Sequence, residues 1–464
     1  LLINQGNDNF VKEKCRQPDS GVRWTFDAGA ATLWAISRTV EQRKMKGGLT
    51  GYLIHDFSEP IRDPLWQNIN LSPGMKELIS LESFQKLGRI KQLGPAFHVY
   101  PGAVHTRLNH SLGVLHLARK LLLSLLDREE KLPLTGDGVR AFLAAALLHD
   151  LGHFPFAHSF KELPLKDHEE LTAEKVLTEP MRSSLKDRVG ADPEMVAGIV
   201  DEKLSPGDST ELPFYRRLLS GVLDPDKLDY LNRDAYFCGV PYGIQDTEYI
   251  LHKLQYHPEA GIALEADAVT AVENILFSKY QMYRTVYWHR VVRIATAMIK
   301  QAVFLGMMEG KIRPEELYWL DDEEFYRKFG SRDYRPLSLI PLVMERKFYK
   351  TAMETPFDPA LRSHRDLLDL EKRFAEQERI ARILSSRLQR TVRAYEVVVD
   401  IPEAISFEVN LPILTAGGCV PFTKSGSVFS GPVVEGFAGS LRMLRLFLPA
   451  DIVGRAGDLG RFFS

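Results

Sequence analysis

From about residue 74 to about residue 394, apolar positions recur three and four apart, the spacing of helices that each bury one face. The pattern predicts helices near 74–87, 106–127, 137–151, 168–178, 192–202, 211–222, 225–237, 246–255, 266–308, 314–328, 336–350 and 361–394. Pro133 with Gly136, Pro206 with Gly207, and Pro241 with Gly243 supply breaks between them. Before this run, Ile61 to Leu71 alternates enough to predict a short strand pair, and one helix is expected over Ala30 to Lys46. Beyond Tyr395 the residues become β-branched and alternating, with Gly-rich turns at 416–418 and 425–426. The expectation is a mostly α protein with a smaller α+β C-terminal domain. Its parts are read as an N-terminal segment 1–50, a chemistry-bearing helical domain 51–310, a helical extension 311–394 and an α+β domain 395–464.

Composition narrows this picture only slightly. Across 464 residues, 45% hydrophobic and 26% charged is ordinary for a globular chain. The net charge of -2 gives no overall basic surface, so a nucleic-acid partner is not indicated. The strip Lys372, Arg373, Arg379, Arg382, Arg387, Arg390 and Arg393 is read as a solvated face or subunit contact, ahead of a polyanion site. Three scattered cysteines, Cys15, Cys238 and Cys419, build neither a disulfide framework nor a Cys-rich zinc site. With no signal-peptide pattern, the expected setting is cytoplasmic. The longest apolar runs, Ala141–Leu148 and Leu121–Leu126, fall short of a membrane span.

Histidine changes the picture more. Of 13, eight lie between His98 and His168. Ala141-Phe-Leu-Ala-Ala-Ala-Leu-Leu148 is apolar all round, the mark of a buried helix, and it delivers His149 and Asp150 side by side at its end. A buried carboxylate needs a cation, hydrogen bonds or a metal beside it. His153 lies one turn on, and Gly152 leaves room for a backbone or ligand to approach. Arg107 and His110 share a face of a second helix, where an arginine suits an anionic substrate.

A third helix, at 225–237, places Asp226, Lys227, Tyr230, Arg233 and Asp234 on one arc, opposite Leu228, Leu231 and Ala235. Spacing alone does not choose among Asp224, Asp226 and Asp229 as the distant carboxylate. Walker loops, G-x-G-x-x-G, G-x-S-x-G and H-E-x-x-H are all absent. The residues therefore favour a metal-dependent hydrolase of phosphate esters.

Several stretches then resemble one family. They are Gln92-Leu-Gly, Tyr100-Pro-Gly-Ala-Val-His-Thr-Arg-Leu-Asn-His-Ser-Leu-Gly113, His149-Asp-Leu-Gly-His-Phe-Pro-Phe-Ala-His158, His168-Glu, Asp226-Lys-Leu-Asp-Tyr-Leu-Asn-Arg-Asp234 and Tyr283-Arg-Thr-Val-Tyr-Trp-His-Arg290. Together they resemble the HD superfamily of metal-dependent phosphohydrolases, and more narrowly its deoxynucleoside triphosphate triphosphohydrolase branch. The resemblance implies an HD-type helical core and metal ligands His110, His149, Asp150 and Asp226. It also implies His158 as general acid, with His153 and His168 around the phosphates, and Arg107 and Lys227 on phosphate oxygens. Gln92, Tyr230, Asp234 and Tyr287 match sugar- and base-contacting positions.

The implied reaction is attack of a metal-held hydroxide on the α-phosphorus of a dNTP, releasing deoxynucleoside and inorganic triphosphate. Mixed His and Asp ligands suit Mn, Fe, Zn or Ni, with a second Mg on the triphosphate. A homo-oligomer, dimer or tetramer, is implied by resemblance alone. Three departures stand out: Phe154 follows His153 where relatives carry Gly, Lys161 replaces the acid supporting the general-acid His (Glu162 being a neighbouring substitute), and Asp63-Pro-Leu-Trp-Gln67 lacks the usual His. The alternatives are another HD phosphohydrolase (nucleotidase, phosphodiesterase or single-strand nuclease), or a nucleotide- or nucleic-acid-binding regulator with little turnover.

Overall fold

A computed structural model describes residues 48–459, apart from 129–131, 133, 208, 260, 408 and 458. The helix expected over Ala30 to Lys46 lies outside these residues. At the centre are helices α1 (Arg107–Arg128) and α2 (Gly136–Leu148), packed on each other. Every α2 residue from Ala141 to Leu148 is buried, which is what an all-round apolar helix requires. Thr135 starts α2 by accepting the Gly138 N–H.

Helices α3 (His168–Val176) and α4 (Pro225–Cys238) complete the frame around the chemistry-bearing residues. The start and stop of α4 are written locally. Asp224 caps it, Pro225 opens it, and Gly239 closes it at φ 66°, in the left-handed region that glycine tolerates.

The single helix expected over 266–308 is two, α5 (Val269–Met282) and α6 (Arg290–Met308). A wide turn over Tyr283–Tyr287 ends the first, and His289 Nδ1 accepts the Val291 N–H at 3.2 Å to begin the second. Helix α6 is long and apolar enough to cross a membrane on length and composition, a match that the apolar-run reading missed. It is a core helix, with 72% of its most apolar window buried. The final long helix, α7 (Leu370–Leu388), begins at its Asp369 cap, so the stretch expected as one helix over 361–394 is interrupted.

Three small sheets surround this frame. The expected strand pair is the antiparallel hairpin β1 (Glu59–Asp63) and β2 (Gln67–Leu71), with Ile61 opposite Ile69. Two further short strands, β3 (Leu254–His257) and β4 (Gly261–Glu265), form a second hairpin that helical periodicity hid. The remaining strands are β5 (Lys350–Pro356), β6 (Val398–Asp400), β7 (Pro412–Thr415), β8 (Gly418–Pro421) and β9 (Met443–Leu448). They divide between sheets ordered β3-β4-β7-β8 and β5-β9-β6, with β7 parallel to β4.

Pairing thus crosses both expected boundaries, at 310 and at 394. β5 falls inside the expected helical extension, and β7 extends a sheet begun near residue 254. The protein is mostly α with a smaller α+β C-terminal part. Ile380, Leu384 and Leu388 of α7 pack on Val399, Leu444 and Leu446. On its polar side Lys372 pairs with Asp366 and Arg379 with Glu376, and just past its end Arg390 pairs with Asp451. The basic strip is largely engaged within the chain.

Candidate functional site

Two histidines and one carboxylate meet where α1, α2 and α4 converge. One donor atom each from His110, His149 and Asp226 lies within 4.8 Å of the others. His110 Nε2 is 2.8 Å from Asp226 Oδ1, and His149 Nε2 is 3.9 Å from the same oxygen. Asp150 stands beside them, with Oδ1 3.5 Å from His149 Nε2.

Both imidazoles are oriented from behind. His149 Nδ1 lies 3.0 Å from the Ala146 carbonyl, which can only accept, so Nδ1 carries the hydrogen and the Nε2 lone pair faces inward. That Nε2 is buried without a hydrogen-bond partner. His110 Nδ1 donates to Asp229 Oδ2 at 2.8 Å. Burial opposes charge on the His110 ring, but hydrogen bonds to Asp226 and Asp229 outweigh it and raise its pKa to about 10. An inward lone pair, a second inward nitrogen and a carboxylate are the donor set that a divalent cation takes, with second partners fixing the tautomers. The residues fit a metal.

The three candidate aspartates on α4 are now distinct. Asp224 caps the helix through the Lys227 N–H at 2.6 Å. Asp226 faces the histidines. Asp229, fully buried, backs His110 and is bound by Arg233 Nε at 2.8 Å and Nη2 at 2.9 Å. Burial works against its charge, but Arg233 and then His110 hold its carboxyl well below the usual range. Trp66 Nε1 donates to Asp229 Oδ1 at 2.5 Å, so the residue standing in place of the usual His in the hairpin text is part of this support. Asp63, one strand earlier, receives Arg233 Nη1 at 2.8 Å. Gly113 passes so close that a Cβ there would lie 1.9 Å from Asp229 Oδ1.

A second cluster gathers His153, His158 and His168. The His153 and His168 rings stack at 3.8 Å, and His158 meets His153 edge-on at 4.7 Å. Burial is the main reason that all three are held well below the usual histidine pKa. Arg107 and neighbouring imidazoles add to the effect, so the rings are neutral. Asp150 links the two clusters, with Oδ1 3.0 Å from His153 Nε2 and Oδ2 2.6 Å from Arg107 Nη1. Arg107 Nε remains buried and unpartnered. The close approach expected at Gly152 is made by α3, since a Cβ there would lie 2.2 Å from the His168 carbonyl.

These groups open into a cavity of about 770 Å³, lined by Gln92, Arg107, His158, His168, Tyr230, Asp234 and Tyr287 among others. Its size suits a small-molecule ligand. Asp234 is held on both oxygens, by His105 Nε2 at 2.8 Å and by the Tyr287 hydroxyl at 2.7 Å. Gln92 Oε1 is buried and unpartnered.

Three sequence expectations are displaced, the first being His153, which is fully buried behind His168 and does not line the cavity. Lys227 does not line the cavity, since its Nζ reaches back to Asp224 Oδ2 at 2.6 Å and the Gly221 carbonyl at 2.9 Å. Arg233, expected on the same arc as Asp226, turns to Asp229 and Asp63. Conversely, Trp288, Thr296, Asp322, Tyr326 and Glu403 line the cavity. Trp288 precedes α6 within a recognisable text, and the other four come from α6 and later segments that carry none.

Glu162, the neighbouring substitute for the missing acid, is committed elsewhere. It takes Lys300 Nζ at 2.7 Å and both terminal nitrogens of Arg373, at 3.0 and 3.1 Å. Burial opposes its charge, but Lys300 and Arg373 lower its pKa from 4.5 to about 2. A depressed folded-state pKa contributes stability above pH 4.5 that is lost as pH falls through about 2. Glu162→Gln is expected to cost roughly 3 kcal/mol near neutral pH. The difference should shrink below pH 4.5, as read by urea unfolding across pH. A pH-independent difference would count against the linkage.

A buried His-Asp pair at a helix end, joined by a histidine and an aspartate from two other helices, defines a metal-binding helical domain of the HD type. Residues 107–271 match the HD domain family and residues 245–429 the HD associated region. An uncharacterised protein of Bacillus subtilis is 33% identical over 283 residues, which is 56% of this chain and 63% of that protein. The deoxynucleoside triphosphate triphosphohydrolase SAMHD1 of Homo sapiens is 28% identical over 277 residues, 53% of this chain and 44% of that enzyme. A crystal structure of a hypothetical protein from Aquifex aeolicus superposes with a TM-score of 0.65 at 26% identity, covering 86% of this chain and 98% of that one. The chain thus carries an HD domain followed by an HD associated region, consistent with an HD-superfamily phosphohydrolase. It spans less than two thirds of the length of the curated relatives it matches.

Proposed function

We propose that this protein hydrolyses deoxynucleoside triphosphates to deoxynucleoside and inorganic triphosphate. The observation that carries the reading is the inward, unpartnered Nε2 of His149 beside His110 and Asp226, opening onto a cavity lined by phosphate- and sugar-compatible groups. His110, His149, Asp150 and Asp226 would hold a divalent metal, whose bound form would supply an activated water and offset charge on phosphoryl oxygens. A second Mg belongs with the triphosphate.

His158 protonates the leaving 5′ oxygen. It is neutral in the empty cavity, and an arriving polyanion favours its protonated form. His153, fully buried, stacks behind His168, which with Arg107 flanks the phosphates. Arg107 does so with the guanidinium edge that Asp150 leaves unused. Tyr287 and Asp234, already hydrogen-bonded to each other, meet the sugar with Gln92 and Tyr230. The similarity to a named dNTP triphosphohydrolase supports the substrate class.

Product analysis tests this. Protein supplied with Mn, Fe, Zn, Ni or Mg is incubated with each dNTP and NTP, beside Asp150→Ala. Deoxynucleoside and triphosphate are expected from wild type, with turnover lowered at least about a thousandfold in the variant. Monophosphate or pyrophosphate instead would indicate another HD phosphohydrolase. Tight nucleotide binding without any product would favour a regulator.

A further inference from the structure

The cavity's cations are mostly spoken for. Lys91 pairs with Asp322 at 3.3 Å, Arg107 with Asp150 at 2.6 Å and Lys300 with Glu162 at 2.7 Å. Arg293 is bound side-on by Asp400, and Lys279 Nζ donates to the Ser406 carbonyl at 3.0 Å. Lys227 is turned back to its own helix cap. Lys161 differs from all of these. It lines the cavity directly after the turn Ala157–Phe160 that carries His158, its side chain is exposed, and among the described residues it makes neither a hydrogen bond nor an ion pair.

A polyphosphate ester brings several negative charges into a space that already contains Asp150, Asp226, Glu169 and Glu403. Transferring those charges from water requires cations that are not already neutralised. An ammonium on a flexible four-carbon stem can move to a phosphate oxygen without first breaking an ion pair. We propose that Lys161 binds the polyphosphate chain in this cavity alongside Arg107, taking the part that the resemblance implied for Lys227. Its charge is already felt by His158 on the same turn and by Glu169 and Glu403 across the opening, which places it among the groups the chain must pass. An acid at this position would repel the same chain. The lysine therefore marks a difference in how this protein grips its substrate.

The assignment rests on the triphosphohydrolase reading for its ligand, but its test does not depend on turnover. Inorganic tripolyphosphate is titrated calorimetrically into protein at matched metal content, using wild type, Lys161→Gln, Lys161→Arg and the outer-surface control Lys372→Gln. Lys161→Gln is expected to weaken binding about tenfold, while Lys161→Arg and Lys372→Gln stay within about twofold. Circular dichroism and metal content confirm that each variant is folded. Equal affinity for wild type and Lys161→Gln overturns the proposal, as does a wild type that binds no tripolyphosphate. If Lys161→Gln loses tripolyphosphate while the wild type releases no triphosphate from any dNTP, the reaction falls and the role of Lys161 stands.

Discussion

Asp229→Ala is expected to destabilise the fold by about 3–5 kcal/mol, the penalty for leaving a buried charge without its partner. The aspartate is fully buried and collects donors from three elements: Trp66 on the hairpin turn, His110 on α1 and Arg233 on α4 itself. Its removal leaves the fully buried Arg233 with only Asp63 and strips the His110 Nδ1 hydrogen of its acceptor. Urea unfolding of metal-stripped protein reads the loss free of any metal contribution. Asp229→Asn, which keeps the shape but not the charge, should fall between. A loss under about 1 kcal/mol would mean that Arg233 and His110 find other partners.

Asp226→Ala should do the reverse. Three residues earlier on the same helix, its side chain is 36% exposed and meets the site imidazoles of His110, at 2.8 Å, and His149, at 3.9 Å. The metal-free protein should lose roughly 1.5 kcal/mol, the low end for a hydrogen bond to a charged group, and so well under the Asp229→Ala loss. Bound metal should be lost, and dNTP hydrolysis should fall at least about a thousandfold, roughly 4 kcal/mol of transition-state stabilisation. Elemental analysis of the dialysed protein and product release measure the two effects. Stoichiometric metal with activity within tenfold of wild type would remove Asp226 from the centre. The two aspartates together separate what holds the site from what the site does.

That separation marks how much could be read from the residues alone. His149-Asp150 at the end of an all-apolar helix is a local signal, and burial of the helix follows from its composition. Asp224, Asp226 and Asp229 are not local in this sense. Which one caps, which faces the metal position and which braces His110 depends on where α1 and the hairpin lie against α4. Arg233 was misplaced for the same reason. A helical arc of roughly 100° per residue tells which residues are neighbours, but an arginine's long side chain follows its partner, Asp229, instead of the arc. The strands β3 and β4 are four and five residues long, too short to override helical spacing on either side. Cavity walls from α6 and from Glu403 are long-range contacts with no text to announce them. Trp66 was visible only as a departure, until its indole nitrogen met Asp229.

The order β5-β9-β6 has a consequence for a chain still being made. Neither β5 nor β6 has a neighbour in its sheet until β9 arrives, and Met443 follows Asp400 by about 40 residues. At ~5–20 residues per second, the ribosome needs roughly 2–9 s to cover that distance. During this interval His110, His149 and Asp226 have long been synthesised, while two strand edges wait unpaired. Nascent chains on one message therefore share a window in which β5 of one can accept β9 of another.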